Sequence, residues 1–339
     1  SATQIPVVAI IMKKTTDWHG KPYYSLDAYF KNRYGQKVYK IAVDAGLSCP
    51  NRDGNLGYGG CIFCSTGGSG DFAVREKNVE LQIKAGLSRF NKSVGNKFVI
   101  YFQAFTNTYG DINYLKKIWT EALECESVAG ISIATRPDCL GSDVLRLLKE
   151  IQDIYSKEDK GTKFVWIELG LQTIHEKTEK YIRRMYPLEV YERAVINLDR
   201  AGICFITHII IGLPGETREE ILESIYYVQR GLYDEERKKK ILPMGMKLQL
   251  LHVLEGTDLA YDYSRGNFFV MEMNEYIDLL IEALQGINPG IIIHRLTGDG
   301  NKAHLIAPLW STNKKLVLNT LHRRMREENA SQGKNFRDI

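Results

Sequence analysis

A chain of 339 residues, 44% hydrophobic and 25% charged, can bury a full core without disulfide staples. It has no run of about 18 apolar residues, and its opening SATQIPVVAIIMKK lacks the basic-first order of a signal peptide, so a cytoplasmic protein with no membrane partner is expected. A net charge of +4 says little about nucleic acid, and six uncrowded cysteines in a reducing compartment favour metal or redox chemistry over disulfides.

Met12 is read as the natural start, which sets residues 1–11 outside fold reasoning and makes residues 1–36 an N-terminal extension. A first strand is expected at KVYKIAV (37–43), followed by a helix over 78–91, a strand over 98–104 and a helix over 112–126. Strands at 130–135, 164–170, 204–212 and 246–253 alternate with helices over 142–156, 175–184, 188–201 and 217–231. Apolar strands each followed by a helix indicate an α/β fold with a parallel sheet, and six such units over 37–254 fit a partial (β/α)6 barrel. The remainder, 255–339, reads as an accessory, substrate-binding region: a helix (274–287), a short strand (GIIIHRL) and a basic helix (313–328).

In a barrel the loops after the strands gather at one face, where chemistry sits. The first such loop is CPNRDGNLGYGGCIFC, with the spacing Cys49-x11-Cys61-x2-Cys64. Its glycines permit a chain that wraps a metal centre. Structural zinc wants four ligands and the loop offers three, so a zinc reading needs a distant histidine. An iron–sulfur cubane held by three thiolates instead leaves one iron open. Cys125, Cys139 and Cys204 are scattered singly and read as ordinary apolar residues.

Three cysteines with Phe63 just before the last, after the first strand of such a barrel, resemble the radical S-adenosylmethionine (SAM) superfamily. With YFQAFTNTYGD, SIATRPDCL, IELGLQT and HIIIGLPGET, the chain is similar over about 20–310 to the YtqA/YhcC-type (MnmL-like) subfamily, related to the Elp3 radical SAM domain. The resemblance implies a 4Fe-4S cluster on Cys49, Cys61 and Cys64. It also implies that the open iron chelates SAM, that one electron releases a 5′-deoxyadenosyl radical, and that flavodoxin or ferredoxin donates that electron.

The same resemblance assigns SAM contacts. Gln103, Thr106 or Asn107 would stand in for a Gly-Gly-Glu motif that this chain lacks, the alternative being ordinary turn residues. Arg136 suits a carboxylate, the alternative being a surface ion pair. Glu168 and Gln172 share a strand face pointing into the barrel, where the alternative is a structural polar network. Arg184, twelve residues after Gln172, would meet the SAM carboxylate, with Arg183 solvated. His208 would contact ribose or serve as a satisfied core histidine. The turn GLPGET would offer its backbone to adenine, with Glu216 and Thr217 capping the next helix.

Substrate is sought in the accessory region, at His294, Arg295, Lys302, His304 and Trp310, at the basic cluster Lys314, Lys315, Arg323, Arg324 and Arg326, and at the run RKKKI (237–241). These could track phosphates or form a solvated helix face. The subfamily resemblance implies tRNA, with removal of the carboxymethyl unit from 5-carboxymethylaminomethyl-(2-thio)uridine at the wobble position and a separate SAM-dependent methyltransferase downstream. Tyr109 would stack on the splayed base. The other readings are radical chemistry on a small molecule or peptide, and a zinc-stabilised RNA-binding module.

Overall fold

The computed structural model describes residues 17–68, 78–90, 96–298, 300 and 302–337; the start at Met12, residues 1–11 and the last residue of the 78–91 helix lie outside them. The chain runs α1 (Leu26–Tyr34), β1 (Tyr39–Val43), α2 (Val79–Ser88), β2 (Phe98–Phe102), α3 (Ile112–Glu124), β3 (Val128–Thr135), α4 (Ser142–Tyr155), β4 (Phe164–Gln172), α5 (Glu176–Tyr181), α6 (Leu188–Ala201), β5 (Cys204–Ile211) and α7 (Arg218–Arg230). It continues through β6 (Leu232–Asp234), β7 (Lys239–Ile241), β8 (Gly245–Leu250), β9 (Val253–Leu254), α8 (Asp258–Ser264), α9 (Met273–Gly286), β10 (Ile292–Arg295), β11 (Leu305–Ala307) and α10 (Lys314–Glu327).

Seven strands form one sheet in the order β1-β2-β3-β4-β5-β8-β10, with each neighbouring pair parallel. Alternation along the strands explains its two faces. Ile41, Val43, Ile100, Phe102, Ile131, Ile133, Val165, Ile167 and Leu169 lie in the main apolar core with the helices. Thr207 is on that outer face, its hydroxyl 2.8 Å from the hydroxyl of Tyr191 on α6. The alternate residues Lys40, Tyr101, Ser132, Glu168, His208 and Lys247 therefore face inward.

The inward residues show how far the sheet curls. Four strands separate β1 from β8, about 24 Å in a flat sheet at the usual strand spacing. Yet Lys40 on β1 and Lys247 on β8 both bind the carboxylate of Glu168 on β4. The result is a half-barrel of the TIM type, as the alternating pattern led one to expect.

Two features differ from the sequence reading. The accessory region contributes β10 to the barrel sheet itself, so there are seven strands, and Ser25 bridges Ile293 beside it. A four-residue strand ending in His294 and Arg295 is too short and polar to announce itself as a barrel strand. The N-terminal extension carries α1, capped by the Ser25 hydroxyl accepting from the Ala28 amide at 3.2 Å and stopped at Gly35, φ 67°. Its Phe30 lies against Phe164 (6.4 Å between ring centres) and Trp166 (5.8 Å), closing the N-terminal end of the half-barrel.

Candidate active site

The loop after β1 is shaped by its own backbone. The Cys49 carbonyl accepts from the Arg52 amide (2.8 Å), that of Pro50 from Leu56 (2.8 Å), that of Asn51 from Gly60 (2.9 Å) and that of Cys61 from Cys64 (3.0 Å). Gly54, at φ 96°, lets the Tyr58 ring approach within 2.9 Å of where a Cβ would stand. Asn51 ties the loop to the opposite wall: its amide donates to the Arg183 carbonyl at 2.5 Å and reaches the Cys61 sulfur at 3.5 Å. Sequence reasoning passed over Asn51, whose signal was its place two residues after Cys49 in a loop it had to close.

Cys49, Cys61 and Cys64 are free thiols within electrostatic reach of one another. The Cys64 thiol donating to Cys61, with Arg136, Asn51 and Arg183 nearby, holds the Cys61 thiol down to about 7 against the opposing effect of burial. Among the described residues no three His, Cys, Asp or Glu side chains gather closely enough to share a single ion. Ligands of a cubane bind different irons and stand further apart than ligands of one ion, so a thiolate triplet in a cationic surround fits a cluster's demands.

The expected SAM contacts fall into two levels. At the mouth, the Thr106 amide donates to the Ser48 carbonyl (3.2 Å) and the amide of buried Gln103 to Val43 (3.3 Å), so both steady the cysteine loop through their backbones. The side-chain amide of Asn107 donates to the carbonyls of Phe102 and Ala134, both at 3.1 Å. Those bonds fix which way the amide points, and its oxygen is left buried without a partner among the described residues. The Arg136 guanidinium grips Asp138 through two bonds, 2.9 and 2.7 Å, and lies over the Tyr186 ring. Phe63 packs beside Ile62, Ile182 and Leu259.

Arg184 is buried and its fork is occupied by backbone: Nη1 donates to Leu171 (2.7 Å) and Thr173 (2.6 Å), Nε to Tyr186 (3.0 Å). Arg183 pairs with Asp258 on α8, while its Nε is buried beside the cysteine loop without a partner among the described residues. Gln172 sits at φ 67° where the β4–β5 register shifts, near the Tyr186 hydroxyl. Thr217 forms a capping box with Glu220, whereas Glu216 accepts from Thr173 instead of capping.

Deeper in the barrel, Glu168 is fully buried and is the centre of a polar network. Its Oε1 accepts from Lys40 (2.8 Å) and Ser132 (2.6 Å), and its Oε2 from His208 (2.9 Å) and Lys247. Burial would raise this carboxyl, but Lys247, Lys40 and His208 prevail and hold it well below the usual range. Burial and Lys247 press His208 down to about 4, so it is neutral. Lys40 and Lys247 were missed by sequence reading because each stands singly in a strand that otherwise reads as apolar.

The accessory groups are dispersed. His294 turns into the barrel beside Trp166, Trp310 donates to the Met271 carbonyl at 3.0 Å, and His304 pairs with Glu255. The basic runs are largely matched by acids: Arg237 and Lys239 with Asp199, Lys238 with Glu235, Arg323 with Glu327, and Arg324 with Asp278 and Glu328. Tyr109 accepts from Asn55 at the mouth.

A half-barrel whose first strand leads into a three-thiol loop defines a class of protein, and the comparisons agree with it. Residues 51–228 match the model of the radical SAM superfamily and 243–327 that of the radical SAM C-terminal domain; the chain belongs to this superfamily. Protein YtqA of Bacillus subtilis is 38% identical over 94% of both chains, and protein YhcC of Escherichia coli 33% identical over 83% of this chain and 85% of its own. A shorter stretch, 50% of this chain and 33% of the other, is 28% identical to the tRNA uridine(34) acetyltransferase of Dehalococcoides mccartyi. The solved structure of Elp3 from Methanocaldococcus infernus superposes with a TM-score of 0.63 at 16% identity, over 88% of this chain and 64% of that one.

Radical SAM enzymes use a 4Fe-4S cluster and SAM, which together supply a primary carbon radical able to take a hydrogen atom from an unactivated C–H bond. In this chain Cys49, Cys61 and Cys64 would hold the cluster. The unpartnered oxygen of Asn107 and the unpartnered Nε of Arg183 are an acceptor and a donor suited to an amino group and a carboxylate.

Proposed function

We propose that this radical SAM enzyme acts on tRNA, removing the carboxymethyl unit from 5-carboxymethylaminomethyl-(2-thio)uridine at the wobble position to leave the 5-aminomethyl nucleoside. The observation that carries the reading is a stretch, half of this chain, that is similar to an enzyme named for that nucleotide. The chain shares a stretch with an enzyme named for tRNA uridine 34 and its barrel superposes on Elp3. In the first step a hydrogen atom would pass from the carbon beside the carboxylate to the 5′ carbon, giving 5′-deoxyadenosine. The remaining radical would give up one electron to an electron acceptor and add water, breaking the N–C bond to leave the amine and release the unit as glyoxylate. A single-stranded anticodon loop lets the base splay into the barrel mouth, where Tyr109 would stack on it. Flavodoxin or ferredoxin would supply the electron, and a SAM-dependent methyltransferase would consume the product.

A second reading is favoured by one observation. The basic runs are neutralised by acids of the same chain, which weakens their footprint for phosphates and suits a small molecule or peptide instead. Reduced, cluster-loaded protein is incubated with SAM and tRNA from a strain lacking the gene, and 5′-deoxyadenosine and modified nucleosides are followed together. Loss of the carboxymethylaminomethyl form in step with 5′-deoxyadenosine supports the tRNA reading. Unchanged tRNA with no stimulation of SAM cleavage moves the assignment to the small-molecule reading.

A further inference from the structure

The network around Glu168 contains more basic side chains than the burial of one glutamate requires. Its carboxylate is already satisfied by Ser132, His208 and Lys247, and Lys247 lies at the back, 2% exposed, its ammonium 3.0 Å from the Tyr101 hydroxyl. A single buried pair with two further hydrogen bonds is a complete arrangement. Lys40 adds a second ammonium to the same carboxylate, and both ammonium groups stand over the Tyr101 ring, at 4.8 and 4.4 Å from its centre. One carboxylate therefore faces two lysine side chains, and burial presses the deeper one, Lys247, well below the usual lysine range, which leaves the partly exposed Lys40 as the cation that faces the barrel interior.

The network is accessible. Lys40 keeps 22% of its side chain exposed, and His208, an inward residue of a strand with neighbours on both sides, keeps 15%. Solvent therefore reaches the barrel interior at this depth. His294, from β10, has both ring nitrogens buried without a partner among the described residues, and Lys40 and Glu168 are among the charges it feels most. A neutral imidazole has one N–H to donate. Gly245 on β8 keeps room for it, since a Cβ there would come within 2.5 Å of the His294 ring.

Lys40 lies three residues before Val43, about 10 Å down the strand from the end that leads to Cys49. That is below the level of the cysteines, Asn107 and Arg136. We propose that Lys40, backed by Lys247 and assisted by His294, forms a subsite for one carboxylate group of the substrate. One oxygen would meet the Lys40 ammonium and the other the imidazole N–H. The identity of its carrier rests on the wobble-uridine reading, in which the carboxylate is that of the carboxymethyl unit; the alternative source of the same chemistry is the carboxylate of SAM.

The test uses cluster-loaded protein, wild type, Lys40→Met and Lys40→Arg, checked for unchanged thermal midpoint. Lys40 is substituted because it is partly exposed, whereas Lys247 is buried. Binding is measured for SAM, for anticodon stem-loops carrying 5-carboxymethylaminomethyluridine or 5-aminomethyluridine, and, by equilibrium dialysis, for N-acetylglycine against N-acetylglycinamide. The expected result is an approximately tenfold preference of wild type for the carboxylate-bearing stem-loop, lost in Lys40→Met and retained in Lys40→Arg, with SAM affinity within twofold throughout. Weakened SAM binding in Lys40→Met with the preference intact overturns the proposal by assigning the site to the cofactor. No change in either assigns Lys40 to structure alone and also overturns it. If wild type binds neither stem-loop, the wobble-uridine reading fails, and the fragments decide the subsite: N-acetylglycine bound over its amide in a Lys40-dependent way upholds it, and its absence overturns it.

Discussion

At the scale of single residues, the cysteine loop and the Glu168 network differ in how their charge responds to change. Cys61 is the thiol held lowest and is supported by Asn51, so Cys61→Ala is expected to abolish retained iron and SAM cleavage, and Asn51→Ala to lower iron occupancy while leaving the fold intact. Anaerobic iron and sulfide analysis beside circular dichroism checks both; full iron in Cys61→Ala would show that the cluster is held elsewhere. His208 gives a pH prediction. Its folded value is depressed from 6.5 to about 4 by burial and Lys247, so between those values the unfolded chain binds more protons than the folded one. Stability therefore falls as pH drops from about 6.5 through about 4, by at most roughly 3 kcal/mol from this group. His208→Gln should flatten that part of a plot of melting temperature against pH, and an unchanged slope would show that other groups dominate it.

At the scale of elements, α1 closes the lower end of the half-barrel with Phe30, which is 1% exposed and stacked on Trp166. Truncating it leaves a cavity lined by Phe164, Trp166 and Val99, so Phe30→Ala should cost about 3–5 kcal/mol, and Phe30→Leu distinctly less. Denaturant unfolding of the two variants measures the difference; equal, small losses would mean that α1 undocks readily. β10 illustrates the same dependence on context. Its inward His294 needs the missing side chain of Gly245, so Gly245→Ala should displace that ring and alter the tryptophan fluorescence of neighbouring Trp166. The order of the barrel strands and helices from 37 to 250 was legible because apolar runs and helical periodicity alternate there, whereas the β6–β7 hairpin, whose second strand lies in the basic run RKKKI, was not. The short strand expected in GIIIHRL is present at 292–295, but its place in the barrel sheet was not legible, since it ends in two polar residues, and neither was the helix at 26–34, which lies in the N-terminal extension.

At the scale of the whole molecule, the surface charge of α10 bears on RNA binding. Lys315 and Arg326 are exposed, while Arg323 and Arg324 are matched by acids of the same helix or of α9. If the anticodon arm lies along this helix, converting Lys315 and Arg326 to Glu should reduce the salt dependence of stem-loop binding by about 1.4 logarithmic units per decade, and an unchanged slope would place the RNA elsewhere. The sequence by itself determined the alternating architecture, the three-thiol loop and the gathering of the loops at one mouth, because periodicity and cysteine spacing are local properties of a chain. Only the tertiary structure decided how the polar residues are used. It placed Arg184 against backbone carbonyls, left atoms of Asn107 and Arg183 unpartnered, and brought Lys40 and Lys247 from strands 207 residues apart in the chain onto one carboxylate. Curling of the sheet creates that meeting, and a curl depends on seven strands packed together, which no single stretch of sequence carries.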